Sequence, residues 1–325
     1  MDIALNLFYL VAGFVLLIKG ADWFVEGTSG IAAKLGIPQI VIGLTIVALG
    51  TSAPEAAVSI TAALNQNAGI TVGNVLGSNI LNILLILGIT SLISPIPVKK
   101  NTVIYEIPFM IFVSILFPVL GFIGYSLGLV DGIILWILTI LFMVYLVIIS
   151  KKQSKENKLE ANDDTPKGPF GYKNKVWYMI IAGIVGLAII ILGSNLTVNG
   201  ATYIAKTVGI SDRIIGLTIV AFGTSLPELV TSVMAAKKGK NDIAIGNVVG
   251  SNIFNILFVA GTSALICNIN FDTTFIIDSS VAIASAILLL LCCIKGKKLT
   301  RIGGIIMILC YAGYFAYLLL NNATA

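Results

Sequence analysis

Long apolar segments separated by short polar stretches dominate this chain of 325 residues. Most of these segments have about 20 residues or more, the length that an α-helix needs to cross a hydrocarbon layer of roughly 30 Å. Their apolar residues are continuous and do not alternate with polar ones, which disfavours a transmembrane β-barrel. The pattern predicts an all-α integral membrane protein with about ten transmembrane helices, at residues 3–33, 38–63, 68–93, 102–123, 130–150, 176–206, 212–236, 242–266, 275–294 and 301–320.

Two unusual segments each occur twice in the chain, and the copies lie 173 positions apart. Residues 43–55 and 216–228 are identical at 11 of 13 positions and share the sequence Gly-Thr-Ser-x-Pro-Glu. Residues 73–84 recur at the same offset as residues 246–257. An internal repeat in a membrane protein is typical of transporters, whose binding site lies where the halves meet. The predicted organisation is a first repeat, a cytoplasmic linker and a second repeat, at residues 1–150, 151–175 and 176–325.

Composition and charge placement extend this prediction to the topology. Hydrophobic residues make up 58% of the chain and charged residues 11%. Because each repeat has an odd number of helices, the second is expected to enter the membrane from the opposite side, which gives two inverted five-helix repeats. With both termini outside, seventeen lysines and arginines fall in inside loops and two in outside loops, a strong positive-inside bias. We therefore predict a multi-pass protein of the cell membrane with extracellular or periplasmic termini and a cytoplasmic loop at 151–175.

Each repeat places one carboxylate inside an apolar segment, at Glu55 and at Glu228. A charged side chain at membrane depth costs roughly 2.5 kcal/mol or more, and no lysine or arginine lies near either motif centre to neutralise it. A bound cation, a proton, or both in turn can do so; a purely structural pair of protonated glutamates is the alternative. Hydroxyl side chains that can share a helix face with these glutamates lie one turn earlier, at Thr51, Ser52, Thr224 and Ser225.

Further oxygen atoms are predicted from the prolines and from the next helix of each repeat. Pro54 and Pro227 lack an N–H group, so they are expected to break the helix and to free backbone carbonyls there. The following helix carries a polar stripe with i, i+4, i+8 spacing in each repeat, formed by Asn74, Ser78 and Asn82 and by Asn247, Ser251 and Asn255. Such oxygen-only ligation suits Ca²⁺, and Na⁺ can use similar oxygens. Soft metals are disfavoured because the motifs contain no cysteine and the chain contains no histidine.

The paired blocks resemble the α-repeats of the calcium/cation antiporter superfamily and are most similar to its microbial sodium/calcium exchangers. The resemblance covers both five-helix halves and implies that ions bind between helices 2, 3, 7 and 8. It implies that Glu55 and Glu228 are the principal ligands and that the Gly-rich first helix of each half moves across the ion-binding core. It adds side-chain or backbone oxygens from Ala48, Thr51, Ser52, Ser78, Asn82, Ala221, Thr224, Ser225, Ser251 and Asn255.

The predicted function is a membrane antiporter, not an enzyme, that exchanges Ca²⁺ for Na⁺ by alternating access and exports Ca²⁺ on the sodium gradient. Ca²⁺ and Na⁺ are the transported ions; no cofactor, nucleic-acid partner or obligate protein partner is expected. Members that co-transport K⁺ carry Asp at the position of Asn255, so K⁺ dependence is not expected. A Ca²⁺/H⁺ antiporter on the same fold is the alternative, and a cation channel or an intramembrane enzyme is the remote one.

Polar residues outside this set have mainly structural interpretations. Asp22 and Glu26 lie one turn apart on the first helix, with Lys19 just before them, and are interpreted as an interfacial cluster or as a cation pathway. Asn79 and Asn252 are expected to secure helix contacts, with direct ion ligation as the alternative.

Overall fold

The computed structural model describes residues 3–65, 69–157, 176–207, 221–273 and 275–323. Within these ranges eight helices are long and apolar enough to cross a membrane, and a bent pair of helices forms a ninth candidate. The α-helices are α1 Ile3–Leu35, α2 Gln39–Ile42, α3 Ala48–Thr51, α4 Ala53–Leu64, α5 Gly69–Leu81, α6 Gly88–Ile93, α7 Ile107–Phe122, α8 Leu129–Asn157, α9 Val176–Thr207, α10 Ala221–Thr224, α11 Leu226–Lys237, α12 Asn241–Phe254, α13 Gly261–Ile266, α14 Phe275–Ile294 and α15 Arg301–Ala323.

Within the described ranges four π-helical segments interrupt these helices: π1 Gly43–Val47, π2 Asn82–Leu87, π3 Thr102–Glu106 and π4 Asn255–Ala260. Two of them begin at Asn82 and Asn255, the last residues of the two polar stripes predicted from the sequence. Local π-helical turns inside α-helices are frequent at functional sites. The irregular backbone therefore coincides with residues predicted to bind ions.

The fold class predicted from the apolar pattern is confirmed: this is an all-α membrane protein with about ten transmembrane helices in two inverted repeats. Helix bounds agree with the prediction to within a few residues, except that α8 continues to Asn157, into the segment predicted as a linker. The rest of the predicted linker, after Asn157, lies outside the described residues. The predicted helix 212–236 is described only from Ala221 onward.

The chain forms two compact units, and neither coincides with a sequence repeat. The first unit contains Met1–Pro54 and Met143–Asn247, and the second contains Glu55–Phe142 and Val248–Ala325. Each unit therefore takes helices from both repeats.

In the first unit, α1 and α9 pack so closely that their backbones are in contact. A Cβ atom added to Gly13 would lie 2.7 Å from the carbonyl oxygen of Gly193, and one added to Gly20 would lie 2.8 Å from that of Gly186. Residue numbers rise along α1 as they fall along α9, so the helices are antiparallel. Small residues permit this approach in membrane helices. Because Gly20 and Gly193 are equivalent in the repeats, their antiparallel helices show the inversion directly.

In the second unit, two pairs of short strands join loops from different repeats. Strand β1 (Ile96–Pro97) pairs antiparallel with β4 (Lys298–Leu299), and β2 (Ser126–Leu127) pairs antiparallel with β3 (Ile269–Asn270). Loops that pair in this way must lie on the same side of the membrane. The pairing agrees with the predicted topology, which puts the loops of β1 and β4 inside and the loops of β2 and β3 outside.

The acidic pair on α1 binds a lysine that follows α11. Lys238 Nζ lies 2.6 Å from Asp22 Oδ1 and 3.2 Å from Glu26 Oε1, and it donates to the backbone oxygen of Asp22 at 2.9 Å. All three side chains are half-buried. The sequence suggested Lys19 as the neighbouring cation, but in the structure the cation is Lys238, which is 216 positions away from Asp22. The ion pairs tie α1 to the end of the helix that carries Glu228.

Replacing Lys238 by Met is expected to lower the thermal stability of the detergent-solubilised protein, because two half-buried carboxylates lose their cation. We expect a loss of about 2 kcal/mol, or roughly 5 °C in Tm. Lys237→Met is the matched control, since the neighbouring Lys237 is exposed. Equal Tm values for the two variants would show that the ion pairs contribute nothing to stability.

Candidate cation-binding site

The helix break predicted from the first proline is present. Ser52 separates α3 from α4 with φ −82° and ψ 7°, and the axes on its two sides differ by 51°. Ser225 separates α10 from α11 in the same way, with φ −93° and ψ 5°. Each Gly-Thr-Ser-x-Pro-Glu motif thus ends one helix at its serine and places its glutamate in the first turn of the next.

The carbonyl of Gly223, which loses its helical N–H partner because Pro227 has none, has a hydrogen-bond partner on another helix. The hydroxyl of Ser194 on α9 donates to this oxygen at 2.7 Å, and both residues are buried. In the first repeat, the carbonyl of Ala48 accepts from the amide of Ser52 at 3.0 Å. The hydroxyl of Thr51 also donates to this carbonyl, at 3.4 Å. The backbone of Ala221 is described, but residues 216–220 of the motif lie outside the described ranges.

In the first unit, Glu228 is completely buried and is bound by the motif of the other repeat. The hydroxyl of Ser52 donates to Glu228 Oε1 at 2.8 Å, across 176 positions of sequence. The hydroxyl of Thr51 donates to Asn247 Oδ1 at 3.0 Å. Asn247 Nδ2 in turn donates to the backbone oxygen of Glu228 at 3.3 Å and to Ser232 Oγ at 2.9 Å. The structure therefore brings the two motifs together through side chains.

In the second unit, Glu55 is 1% exposed and its backbone is held in the same way. Asn74 Nδ2 donates to the backbone oxygen of Glu55 at 3.1 Å and to Ser59 Oγ at 2.8 Å. These contacts reproduce those of Asn247 at the 173-residue offset. Asn74 and Asn247 thus fix the helix that carries each glutamate.

Two further predicted ligands in this unit, Asn82 and Asn255, have buried side-chain oxygens. Their Oδ1 atoms accept no hydrogen bond from any part of the chain that the structure describes. Their amide nitrogens donate to Asn252 Oδ1 and Asn79 Oδ1, at 3.1 Å each. An amide oxygen buried without a hydrogen bond is unfavourable, and a bound cation would compensate for that cost.

The remaining predicted ligands are placed as follows. Ser78 and Ser251 are buried in the second unit, and Ser225 is buried in the first. Thr224 is half-buried in the first unit. Among the described residues, no three His, Cys, Asp or Glu side chains come together as a metal cluster. The oxygens available around each glutamate are therefore those of hydroxyls, amides and the backbone.

Several residues that the structure places in these clusters are not among the ligands predicted from the sequence. Most of them recur at the 173-residue offset that revealed the motifs, so duplication was a usable signal for Ser59, Asn74, Asn79, Ser232, Asn247 and Asn252. Ser194 has Ala21 at the equivalent position, so no repeat signal marks it. Its contact with Gly223 depends on tertiary structure alone.

Buried carboxylates among neutral oxygens, on duplicated and broken helices of an all-α membrane fold, define a membrane cation transporter of the antiporter class. The chain belongs to the sodium/calcium exchanger protein family, whose pattern matches residues 5–150 and 178–320. This confirms the membership predicted from the duplicated motifs.

Similar proteins from bacteria and archaea match almost the whole chain. The sodium/calcium exchanger MaX1 of Methanosarcina acetivorans is 33% identical over 97% of this chain and 99% of its own length. The inner membrane protein YrbG of Escherichia coli is 37% identical over 87% of each chain. A structure of the sodium-calcium exchanger NCX_Mj, soaked with 2.5 mM Na⁺ and 0.1 mM Ca²⁺, has a TM-score of 0.81 and 34% identity, covering 96% of this chain and 98% of that one.

Proposed function

We propose that this protein exchanges Ca²⁺ for Na⁺ across the cell membrane by alternating access and exports Ca²⁺ on the sodium gradient. The observation that carries the proposal is the burial of Glu55 and Glu228, each among neutral oxygens, in duplicated motifs. Two carboxylates balance the charge of one Ca²⁺, and hard oxygen ligands suit both ions. The sodium/calcium exchangers among its relatives support the same assignment.

We propose that the transported ions bind to the two carboxylates and to the oxygens near each of them. The proposed set comprises Ala48, Thr51, Ser52, Glu55, Ser78, Asn82, Ala221, Thr224, Ser225, Glu228, Ser251 and Asn255. Neutral side chains complete the coordination without adding charge, so Na⁺ can replace Ca²⁺ at overlapping positions. Such mutual exclusion is what coupled exchange requires.

For orientation we propose that both termini are extracellular or periplasmic, with residues 1–150 and 176–325 as inverted repeats joined by a cytoplasmic segment at 151–175. The positive-inside bias supports this orientation. The pairing of β1 with β4 and of β2 with β3 agrees with it, because each pair joins loops that the proposed topology puts on one side.

Uptake of radioactive Ca²⁺ into proteoliposomes tests the function. Vesicles are loaded with Na⁺, or with K⁺ at the same ionic strength, and a third set carries a pH gradient without Na⁺. Uptake that requires internal Na⁺ is the expected result. Uptake driven only by the pH gradient would instead indicate a Ca²⁺/H⁺ antiporter, and uptake without any counter-ion would indicate a channel.

Replacing Ser52 by Ala is expected to raise the Ca²⁺ concentration for half-maximal uptake about tenfold. The variant removes the hydroxyl that donates to Glu228 Oε1, and a hydrogen bond to a charged group contributes about 1.5–3 kcal/mol. Ser114→Ala is the matched control, since the buried Ser114 donates only to the backbone of its own helix, at Met110. A Ser52 variant that behaves like this control would remove Ser52 from the site.

A further inference from the structure

Four asparagines of the second unit form a chain of hydrogen bonds in the order Asn82, Asn252, Asn79 and Asn255, which we call the asparagine cluster. Asn79 Nδ2 donates to the backbone oxygen of Asn252 at 3.2 Å, and Asn252 Nδ2 donates to the backbone oxygen of Asn79 at 3.2 Å. Asn255 Nδ2 donates to Asn79 Oδ1 and Asn82 Nδ2 donates to Asn252 Oδ1, both at 3.1 Å. All four side chains are buried.

The hydrogen bonds of the asparagine cluster determine which way each amide points. A backbone carbonyl can only accept, so Asn79 must turn its NH₂ group toward the carbonyl of Asn252. Its Oδ1 then faces Asn255, and two oxygens cannot bond to each other, so Asn255 must present its NH₂ group. The same reasoning, started from the carbonyl of Asn79, determines the amides of Asn252 and Asn82.

The consequence for Asn82 and Asn255, at the two ends of the cluster, is that their oxygens take no part in its hydrogen bonds. These two Oδ1 atoms are buried and accept no hydrogen bond from the described residues. Both asparagines also begin π-helical segments, where the regular hydrogen-bonding of the helix changes. An amide that turned over would present its NH₂ group instead, which repels a cation.

We infer that Asn79 and Asn252 are positioning residues, which hold the amides of Asn255 and Asn82 with their oxygens toward the transported cation. The inference rests on the proposed function, in which Asn82 and Asn255 bind the ions. The pairing of these asparagines is crossed between the two repeats. Asn79 acts on Asn255 of the other repeat, although Asn82 is only three residues away on the same helical span as Asn79. Asn252 acts on Asn82 in the same way.

The crossed pairing gives a test that a general structural role would not pass. We would measure Ca²⁺ uptake into Na⁺-loaded vesicles for Asn79→Leu, Asn255→Leu, Asn82→Leu and the double variants 79/255 and 79/82. Leu has the same number and branching of side-chain heavy atoms as Asn but neither donates nor accepts a hydrogen bond. Each single variant is expected to raise the half-saturating Ca²⁺ concentration about tenfold, with the maximal rate per folded protein within roughly twofold of the wild type.

The double variants distinguish a positioning role of Asn79 from a general structural role. If Asn79 acts through Asn255, the 79/255 double variant is no worse than Asn255→Leu alone, whereas the 79/82 effects multiply to about a hundredfold. Effects that multiply in both pairs would overturn the inference, as would an Asn79→Leu variant with the wild-type half-saturating concentration. Thr90→Val is the control, since the buried Thr90 lies on the same span and donates only to the backbone of Ile86.

Two further measurements cover the cases in which a variant does not fold or the wild type does not transport Ca²⁺. If Asn79→Leu does not fold, the mirror cycle uses Asn252→Leu, which is expected to couple to Asn82 and not to Asn255. If the wild type shows no Na⁺-dependent uptake, the proposed function fails, and the same variants are compared by the thermal stabilisation that Ca²⁺ gives in detergent. Coupling between positions 79 and 255 in that assay would support the positioning role; no stabilisation of the wild type by Ca²⁺ would overturn it.

Discussion

Replacing Glu228 by Gln is expected to reduce Na⁺-dependent Ca²⁺ uptake at least a hundredfold, and Glu55→Gln is expected to do the same. Both side chains are buried, and Gln keeps the shape of Glu while removing its charge. Each substitution removes one of the two carboxylates that the proposed function assigns to Ca²⁺, and in a low-dielectric environment an amide poorly replaces the lost attraction. A hundredfold loss corresponds to about 2.7 kcal/mol, a modest share of such an interaction.

The measurement is the initial rate of Ca²⁺ uptake into Na⁺-loaded vesicles, normalised to folded protein. Glu106→Gln is the matched control, because Glu106 is also a buried carboxylate but lies outside the duplicated motifs. We expect this control to keep at least half of the wild-type rate. Wild-type uptake by either Glu55→Gln or Glu228→Gln would refute the proposed site.

Replacing Gly20 by Val is expected to destabilise the protein severely, because α1 and α9 have no space for a side chain there. A Cβ atom at Gly20 would lie 2.8 Å from the carbonyl oxygen of Gly186 and 2.8 Å from the amide nitrogen of Ile190. Both are backbone atoms, so the helices themselves must separate. Overpacking of this kind costs about 3 kcal/mol, or roughly 5–10 °C in Tm.

Thermal unfolding of the detergent-solubilised protein measures this effect, together with the fraction that elutes as a single species. The matched control is Gly183→Ala on α9, where an added Cβ atom meets nothing within 4 Å. We expect that control to keep the wild-type Tm. A Gly20→Val protein that is as stable as the control would show that the close approach of α1 and α9 is not required.

Much of the fold could be predicted from the sequence because the membrane imposes a strong local rule. A helix must hide its backbone polar groups from lipid, so long apolar segments mark the spans directly. The largest differences lie where this rule weakens, as at α8, which continues to Asn157 through polar residues. The division into compact units could not be predicted in this way, because it depends on which helices pack together.

The candidate site was only partly predictable. Duplication identified the glutamates and their neighbours, because each copy recurs at the same offset. Helical spacing places Ser52 on the same side as Glu55, yet in the structure its hydroxyl donates to Glu228 of the other repeat. A periodic pattern describes one helix at a time and carries no information about partners that come from another.

The sequence by itself determined the membrane class, the positions of most helices, the inverted duplication and the family. These properties follow from local hydrophobicity and from identical motifs, which need no knowledge of packing. Only the tertiary structure decided that Ser194 binds the carbonyl of Gly223, that Lys238 binds the acidic pair on α1, and that the amide of Asn255 donates to Asn79. Each of these contacts joins residues far apart in sequence, whose hydrogen-bond partners depend on distance and orientation in three dimensions.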